Sequence, residues 1–160
     1  MDFDNDSLLD VFLPSSDFHP SKLYRNVGGG KFIDVAVERG VDQPSQRRAG
    51  GLFLDVDNDG DLDLLTLGYP GYTGNQDLYT LFRSDGAPGF SFTDVTSSAG
   101  GFQLAPTEEL TFLGDFGGSC AGDFDGDGYL DFMATYWARV PEYLYDQLRI
   151  WRSRPNSAPA

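Results

Sequence analysis

The nonapeptide DVDNDGDLD, residues 55–63, puts a carboxylate at every second position around a single glycine. Five like charges this close repel one another unless something shared holds them. Asp55, Asp57, Asp59 and Asp63 take positions 1, 3, 5 and 9 of a short loop, with Gly60 at position 6. Hard cations such as Ca²⁺ accept about six to eight oxygen ligands at about 2.3–2.6 Å in forgiving geometry. Alternating aspartates on a tightly curled backbone can aim several carboxylates at one point. Asp61, at position 7, can add its carbonyl oxygen, and Gly60 supplies the positive φ that the curl requires.

The string returns twice. DFDGDGYLD (123–131) offers Asp123, Asp125, Asp127, the Tyr129 carbonyl and Asp131, with Gly128 at position 6. DFDNDSLLD (2–10) offers Asp2, Asp4, Asp6, the Leu8 carbonyl and Asp10, but Ser7 replaces the glycine. A non-glycine residue in the left-handed region costs roughly 1–2 kcal/mol. The first site is therefore expected to be weaker or differently shaped. Asp, Asn and Gly also make ordinary solvated turns, but three copies at one spacing favour metal loops.

An EF-hand needs a bidentate Glu at position 12 and a helix on each side. Position 12 is Leu13, Thr66 and Ala134 here. The flanks, GGLFLDV and LDLLTL, GGSCAGDF and LDFMATY, are short, apolar and led by glycine. They suit buried strands, which sets each metal loop in a β-hairpin.

Composition agrees with an all-β domain of 160 residues: 40% apolar, 14% aromatic, 20 glycines, 9 prolines, and no long helical periodicity. The net charge is −14, from 25 acids and 11 bases. Twelve of those acids are the proposed ligands, and three Ca²⁺ would leave a charge of about −8. Such acidity argues against nucleic-acid binding, which wants a basic face. Cys120, the single cysteine, reads as a small buried strand residue, and His19, in PSSDFHPS, as a surface-loop residue. No apolar stretch is long enough to span a membrane, and no signal peptide is visible.

Between the loops a second pattern recurs. KLYRNVGGGKFIDVAVERGV (22–41) matches LYTLFRSDGAPGFSFTDVTSSAGG (78–101), and LRIWRS (148–153) begins a third version. Each reads as strand, Gly-rich turn, strand. One repeat is thus strand 1, metal loop, strand 2, variable loop, strand 3, Gly turn, strand 4, which is the pattern of a propeller blade. Repeats fall at about 1–49, 50–116 and 117–153, with 154–160 as a linker or frayed tail.

These residues carry a resemblance. FGGSCAGDFDGDGYLDFMA (116–134) resembles the FG-GAP repeat of integrin-α-like β-propellers. KLYRNVGGGKFIDVAVERGV resembles the VCBS-type FG-GAP repeats of secreted proteins and of the cartilage acidic protein and ASPIC/UnbV group. The resemblance implies a partial β-propeller of about two and a half four-stranded blades. It implies Ca²⁺, two to three ions, bound through positions 1, 3, 5 and 9 and the carbonyl at 7. It also implies an extracellular or cell-surface scaffold for adhesion, recognition or assembly, with a periplasmic place as the other option; it names no ligand.

Hairpin parity puts the metal loops and Gly turns on one face and the variable segments 68–77, 101–118 and 135–146 on the other. The latter hold Tyr69, Tyr72, Phe102, Phe112, Tyr136, Trp137, Tyr143 and Tyr145. They either recognise a protein or glycan or cover gaps between blades. The alternative function is a secreted propeller enzyme acting on polysaccharide, with Glu108 and Glu109 as the carboxylates. Against it, the sequence offers no nucleophile–base pair, no HExxH and no phosphate loop, since GGG (28–30) is a hairpin turn with no helix after it. Propellers close with roughly four to eight blades. The expectation is a longer chain that completes the ring, or copies that complete one another's blades.

Overall fold

The structure, a computed structural model, describes residues 1–15, 19–43, 48–68, 79–98, 113–138 and 146–151. Among these residues it is all-β apart from one helical turn, with ten strands in chain order: β1 (Val11–Leu13), β2 (Lys22–Asn26), β3 (Phe32–Asp34), β4 (Arg48–Leu54), β5 (Asp63–Gly68), β6 (Tyr79–Ser84), β7 (Phe92–Asp94), β8 (Leu113–Gly122), β9 (Asp131–Ala138) and β10 (Asp146–Trp151). They form three antiparallel sheets, β1-β2-β3, β4-β5-β6-β7 and β10-β9-β8. The middle sheet is a complete four-stranded blade. Among the described residues the first has strands 2 to 4 and the third strands 1 to 3, in keeping with the strand count expected from the repeats.

The alternation of side chains across each strand decides how the sheets stack. All six residues of β5 are buried, because both its faces are covered. Leu64 points into a cluster with Phe3, Leu23, Val35, Val41, Phe82 and Phe92, between the first and second sheets. Leu65 and Leu67 point the other way, into a cluster with Leu54, Tyr79, Leu81 and Phe132, between the second and third. Phe53 links the first cluster edge-to-face, 6.0 Å from Phe12 and 6.3 Å from Phe92 between ring centroids.

The repeat lets equivalent positions be compared. Val11 pairs with Tyr24 as Leu64 pairs with Phe82, and Asn26 with Phe32 as Ser84 with Phe92. Leu64, Phe82 and Phe92 lie buried against the first sheet, whereas Val11, Leu13 and Phe32 are 42–48% exposed. The first sheet thus presents outward the face that the second keeps covered. At the other end, position 2 of the loops runs Phe3, Val56, Phe124. Phe3 is 1% exposed, Val56 packs against the second cluster, and Phe124 is 50% exposed.

Three expectations need correction. Cys120 is exposed, not buried. It pairs with Met133 as Leu52 pairs with Leu65, so it lies on the third sheet's outer face, the counterpart of one that is covered in the second. The fourth strand of the first repeat is only Phe32–Asp34. It gives way to α1 (Ala36–Arg39), which ends on Gly40 at φ 80°. Asp34 accepts the Ala36 N–H at 3.1 Å, and the turn buries Ala36 and Val41 between sheets. Finally, β8 and β9 are longer than read. Residues 113–118 and 135–138 belong to strands, so Tyr136 and Trp137 stand in the ladder opposite Gln147 and Asp146 and not in a loop. His19 is exposed, as expected.

Candidate metal centre

The second and third acidic strings connect antiparallel neighbours, β4 to β5 and β8 to β9. The first leads into β1, and its ends are joined by the Asp10 N–H donating to the Met1 carbonyl at 2.5 Å. All three curl in the same way. The position 1 carboxylate accepts backbone N–H groups from positions 5 and 6: Asp2 from Asp6 (3.0 Å) and Ser7 (2.8 Å), Asp55 from Asp59 (3.1 Å) and Gly60 (3.0 Å). Asp123 likewise accepts from Asp127 (3.1 Å) and Gly128 (2.9 Å), and from Gly126 (2.7 Å). The position 5 acids, Asp6, Asp59 and Asp127, each accept the N–H two residues on, at 2.9–3.0 Å.

Two residues per loop are left-handed, at positions 4 and 6. Position 6 is Ser7, Gly60 and Gly128, at φ 69°, 92° and 88°. Ser7 therefore keeps the shape of its glycine counterparts and carries the strain; the first loop is not differently shaped. Position 4 is Asn5, Asn58 and Gly126, at φ 56°, 59° and 77°. The sequence reading missed it, although Asn and Gly are the residues that tolerate this region. Both asparagines also reach the next loop. Asn5 Nδ2 donates to Asp61 Oδ1 at 3.3 Å, and Asn58 Nδ2 to the Gly128 carbonyl at 2.9 Å.

Position 9 has a role that spacing alone does not reveal. Asp63 is wholly buried, and its two oxygens accept the N–H of Val56 (2.9 Å) and of Ser84 at the end of β6 (2.8 Å). Asp10 does the same for Phe3 (3.1 Å) and Asn26 (2.8 Å), and Asp131 accepts from Phe124 at 2.9 Å. This carboxylate ties the loop to strand 3 as well as standing beside the other acids. Burial pushes Asp63 up to about 6, against the pull of its two backbone donors.

Carboxylate oxygens of Asp2, Asp4 and Asp6 lie within 4.8 Å of one another, as do those of Asp55, Asp57 and Asp63, and of Asp123, Asp125 and Asp127. In the first two loops the position 3 acid holds an unsatisfied oxygen. Asp4 Oδ1 and Asp57 Oδ1 are buried without a hydrogen-bond partner, and burial raises both carboxyls despite Arg25 and Arg83 beside them. A buried anionic oxygen with no donor is costly, and a bound cation would satisfy it. The donor set, all hard oxygen, fits Ca²⁺. In the exposed third loop the N–H groups of Gly128, Gly126 and Asp127 outweigh desolvation and hold Asp123 low. The structure thus gathers positions 1 and 3 of every loop, with position 5 or 9. The carbonyls of Leu8, Asp61 and Tyr129 remain candidates from the sequence.

Blades of this construction, with acidic hairpin loops along one rim, define a repeat class. Residues 2–66 match the family described as FG-GAP-like repeat, as the motifs implied. Among curated proteins the chain is similar to cartilage acidic protein 1. It is 26% identical to the mouse protein over 185 residues, covering 86% of this chain and 28% of that one. The human protein gives 26% identity, 86% and 27%, and that of Xenopus tropicalis 28% identity, 79% and 17%. The chain thus spans less than a third of the length of these relatives.

Of the aromatic residues proposed to meet a partner, Tyr69, Tyr72, Phe102, Phe112, Tyr143 and Tyr145 lie outside the described residues, as do Glu108, Glu109 and 154–160. Among the described residues, no helix is long and apolar enough to cross a membrane.

Proposed function

We propose that this chain is a calcium-stabilised, extracellular repeat module that serves in binding or assembly and not in catalysis. The observation that carries it is the repetition of one acid-lined loop three times, with the same internal hydrogen bonds and, in two loops, a buried position 3 oxygen without a donor. Ca²⁺ would tie strand 1 to strand 2 in the second and third blades and neutralise carboxylates that otherwise repel in all three loops. Extracellular calcium modules typically bind at about 10⁻⁴–10⁻³ M, in keeping with a protein used outside the cell. The names of the relatives agree with an acidic protein of this kind. For assembly, the outward face of Val11, Leu13 and Phe32 has the pattern of a surface that is covered one blade further on. We take its occupant to be another blade of the same construction.

The test is calorimetric titration of the chelator-treated chain with Ca²⁺, alongside melting in EDTA. Binding at two to three sites and a higher melting temperature with Ca²⁺ are expected; Asp57→Ala and Asp125→Ala should each remove one site. No binding heat and an unchanged melting temperature would overturn the calcium reading. For assembly, light scattering should report an oligomer, and a monodisperse monomer that melts cooperatively would defeat it.

A further inference from the structure

We propose that Arg25 and Arg83 are resident counter-cations that set the calcium affinity of the first two loops. This rests on the calcium reading above. Both arginines sit on strand 3 of their blade, one residue before the N–H that binds the position 9 carboxylate: Arg25 before Asn26, Arg83 before Ser84. That hydrogen bond fixes the register, so each guanidinium falls over the same two acids. Arg25 Nε lies 2.5 Å from Asp4 Oδ2, and its Nη2 3.1 Å from Asp6 Oδ2. Arg83 Nη2 lies 2.6 Å from Asp57 Oδ2 and 3.4 Å from Asp59 Oδ2. In both loops the arginine takes Oδ2 of positions 3 and 5, and Oδ1 of position 3 is the atom left buried without a donor. The Asp4 side chain is only 5% exposed. The same geometry in two repeats makes it part of the blade plan; the sequence places Arg152 at this position in IWRS (150–153), outside the described residues.

Consider the charges. Without a metal, the first loop crowds Asp2, Asp4, Asp6 and Asp10 together, and the guanidinium relieves their repulsion. When Ca²⁺ arrives, the carboxylates that hold it already share a positive neighbour, and the guanidinium repels the dication. One residue therefore supports the calcium-free fold and weakens calcium binding. The arginines are half-exposed, so solvent moderates both effects. An exposed charge pair shifts an equilibrium by about 1.4-fold to fivefold, and a dication doubles the charge product. Neutralising one arginine should then tighten its site roughly twofold to thirtyfold.

The experiment uses the whole chain with Arg25→Gln and Arg83→Gln, singly and together, and Arg83→Lys as the charge-preserving control. Ca²⁺ is titrated calorimetrically, and melting is followed in EDTA. Each Gln variant should tighten one site and lower the melting temperature in EDTA, while Arg83→Lys stays near the parent in affinity. A merely structural arginine would lower both affinity and stability, so weaker or unchanged binding in the Gln variants overturns the proposal. If the parent chain binds no Ca²⁺, the calcium reading itself falls and takes this inference with it. If one Gln variant does not fold, the other and the lysine control still decide the matter.

Discussion

On the proposed calcium reading, chelation should invert the ordinary response of this protein to mild acid. Asp63 is raised to about 6 in the folded chain from an ordinary 3.8. Burial penalises its charge, so the folded state binds the proton more tightly than the unfolded state does. Stability from this group is fully present below about pH 3.8 and is lost as the pH rises through 6. Between pH 7 and pH 5 the chelated protein should gain about 1.4 kcal/mol from Asp63 alone. For a chain of this size that is a rise of roughly 3–5 °C in melting temperature. Asp4 and Asp57 are raised by burial too and act in the same direction. Asp123 and Asp34 are lowered; for Asp34 desolvation is the largest single influence, but the hydrogen bond and charge of Lys22 together with the Ala36 and Leu23 N–H groups outweigh it; their effect falls below about pH 3.8, outside the window. Scanning calorimetry in EDTA at pH 7, 6 and 5 reads the trend. With saturating Ca²⁺ it should reverse, because protons then compete with the metal for the carboxylates. A melting temperature in EDTA that falls steadily from pH 7 to pH 5 would refute the reasoning.

Three substitutions test the scaffold. Ser7→Gly removes a left-handed strain of roughly 1–2 kcal/mol against an entropic cost of about 0.5–1 kcal/mol; melting temperature and affinity at the first loop should both rise, and a fall in either contradicts the backbone argument. Gly40→Ala puts a methyl at φ 80° and 2.9 Å from the Phe92 carbonyl oxygen, and should cost at least about 1–2 kcal/mol in denaturant unfolding. Phe132→Ala empties the cluster between the second and third sheets and should cost about 3–5 kcal/mol; a loss below 1 kcal/mol would mean that those sheets are not packed as described.

The loops and strands were legible because their signals are local. Aspartates at alternate positions and short apolar runs such as LDLLTL specify a hairpin without help from the rest of the chain. What stayed hidden depends on neighbours or on register. Cys120 looks like a core residue in its own strand, yet its burial is decided by whatever covers the outer face. Arg25 and Arg83 look like ordinary exposed strand residues until the Asn26 and Ser84 bonds to Asp10 and Asp63 place them over the loops. Asn5 and Asn58 pass for generic turn residues: Asn, Asn and Gly at position 4 hint at the left-handed φ, but their reach to the next loop has no mark of its own. The helical turn at Ala36–Arg39 was masked by the alternating apolar residues of FIDVAV, which read equally well as strand. Asp34 two residues before Ala36, with Gly40 closing the turn, was the signal available.

The series Phe3, Val56, Phe124 has a consequence for how the chain holds itself together over time. One side chain in one loop position is sealed, half-sealed or open according to its place in the row. Stability in such a row is a sum of nearest-neighbour terms, and opening propagates from the ends inward. Amide exchange should therefore be slowest along β5 and β6, where both faces are covered, and quicken toward β1 and β9 despite their similar local sequence. Folding has its natural starting point in the middle blade, which alone carries all four strands among the described residues.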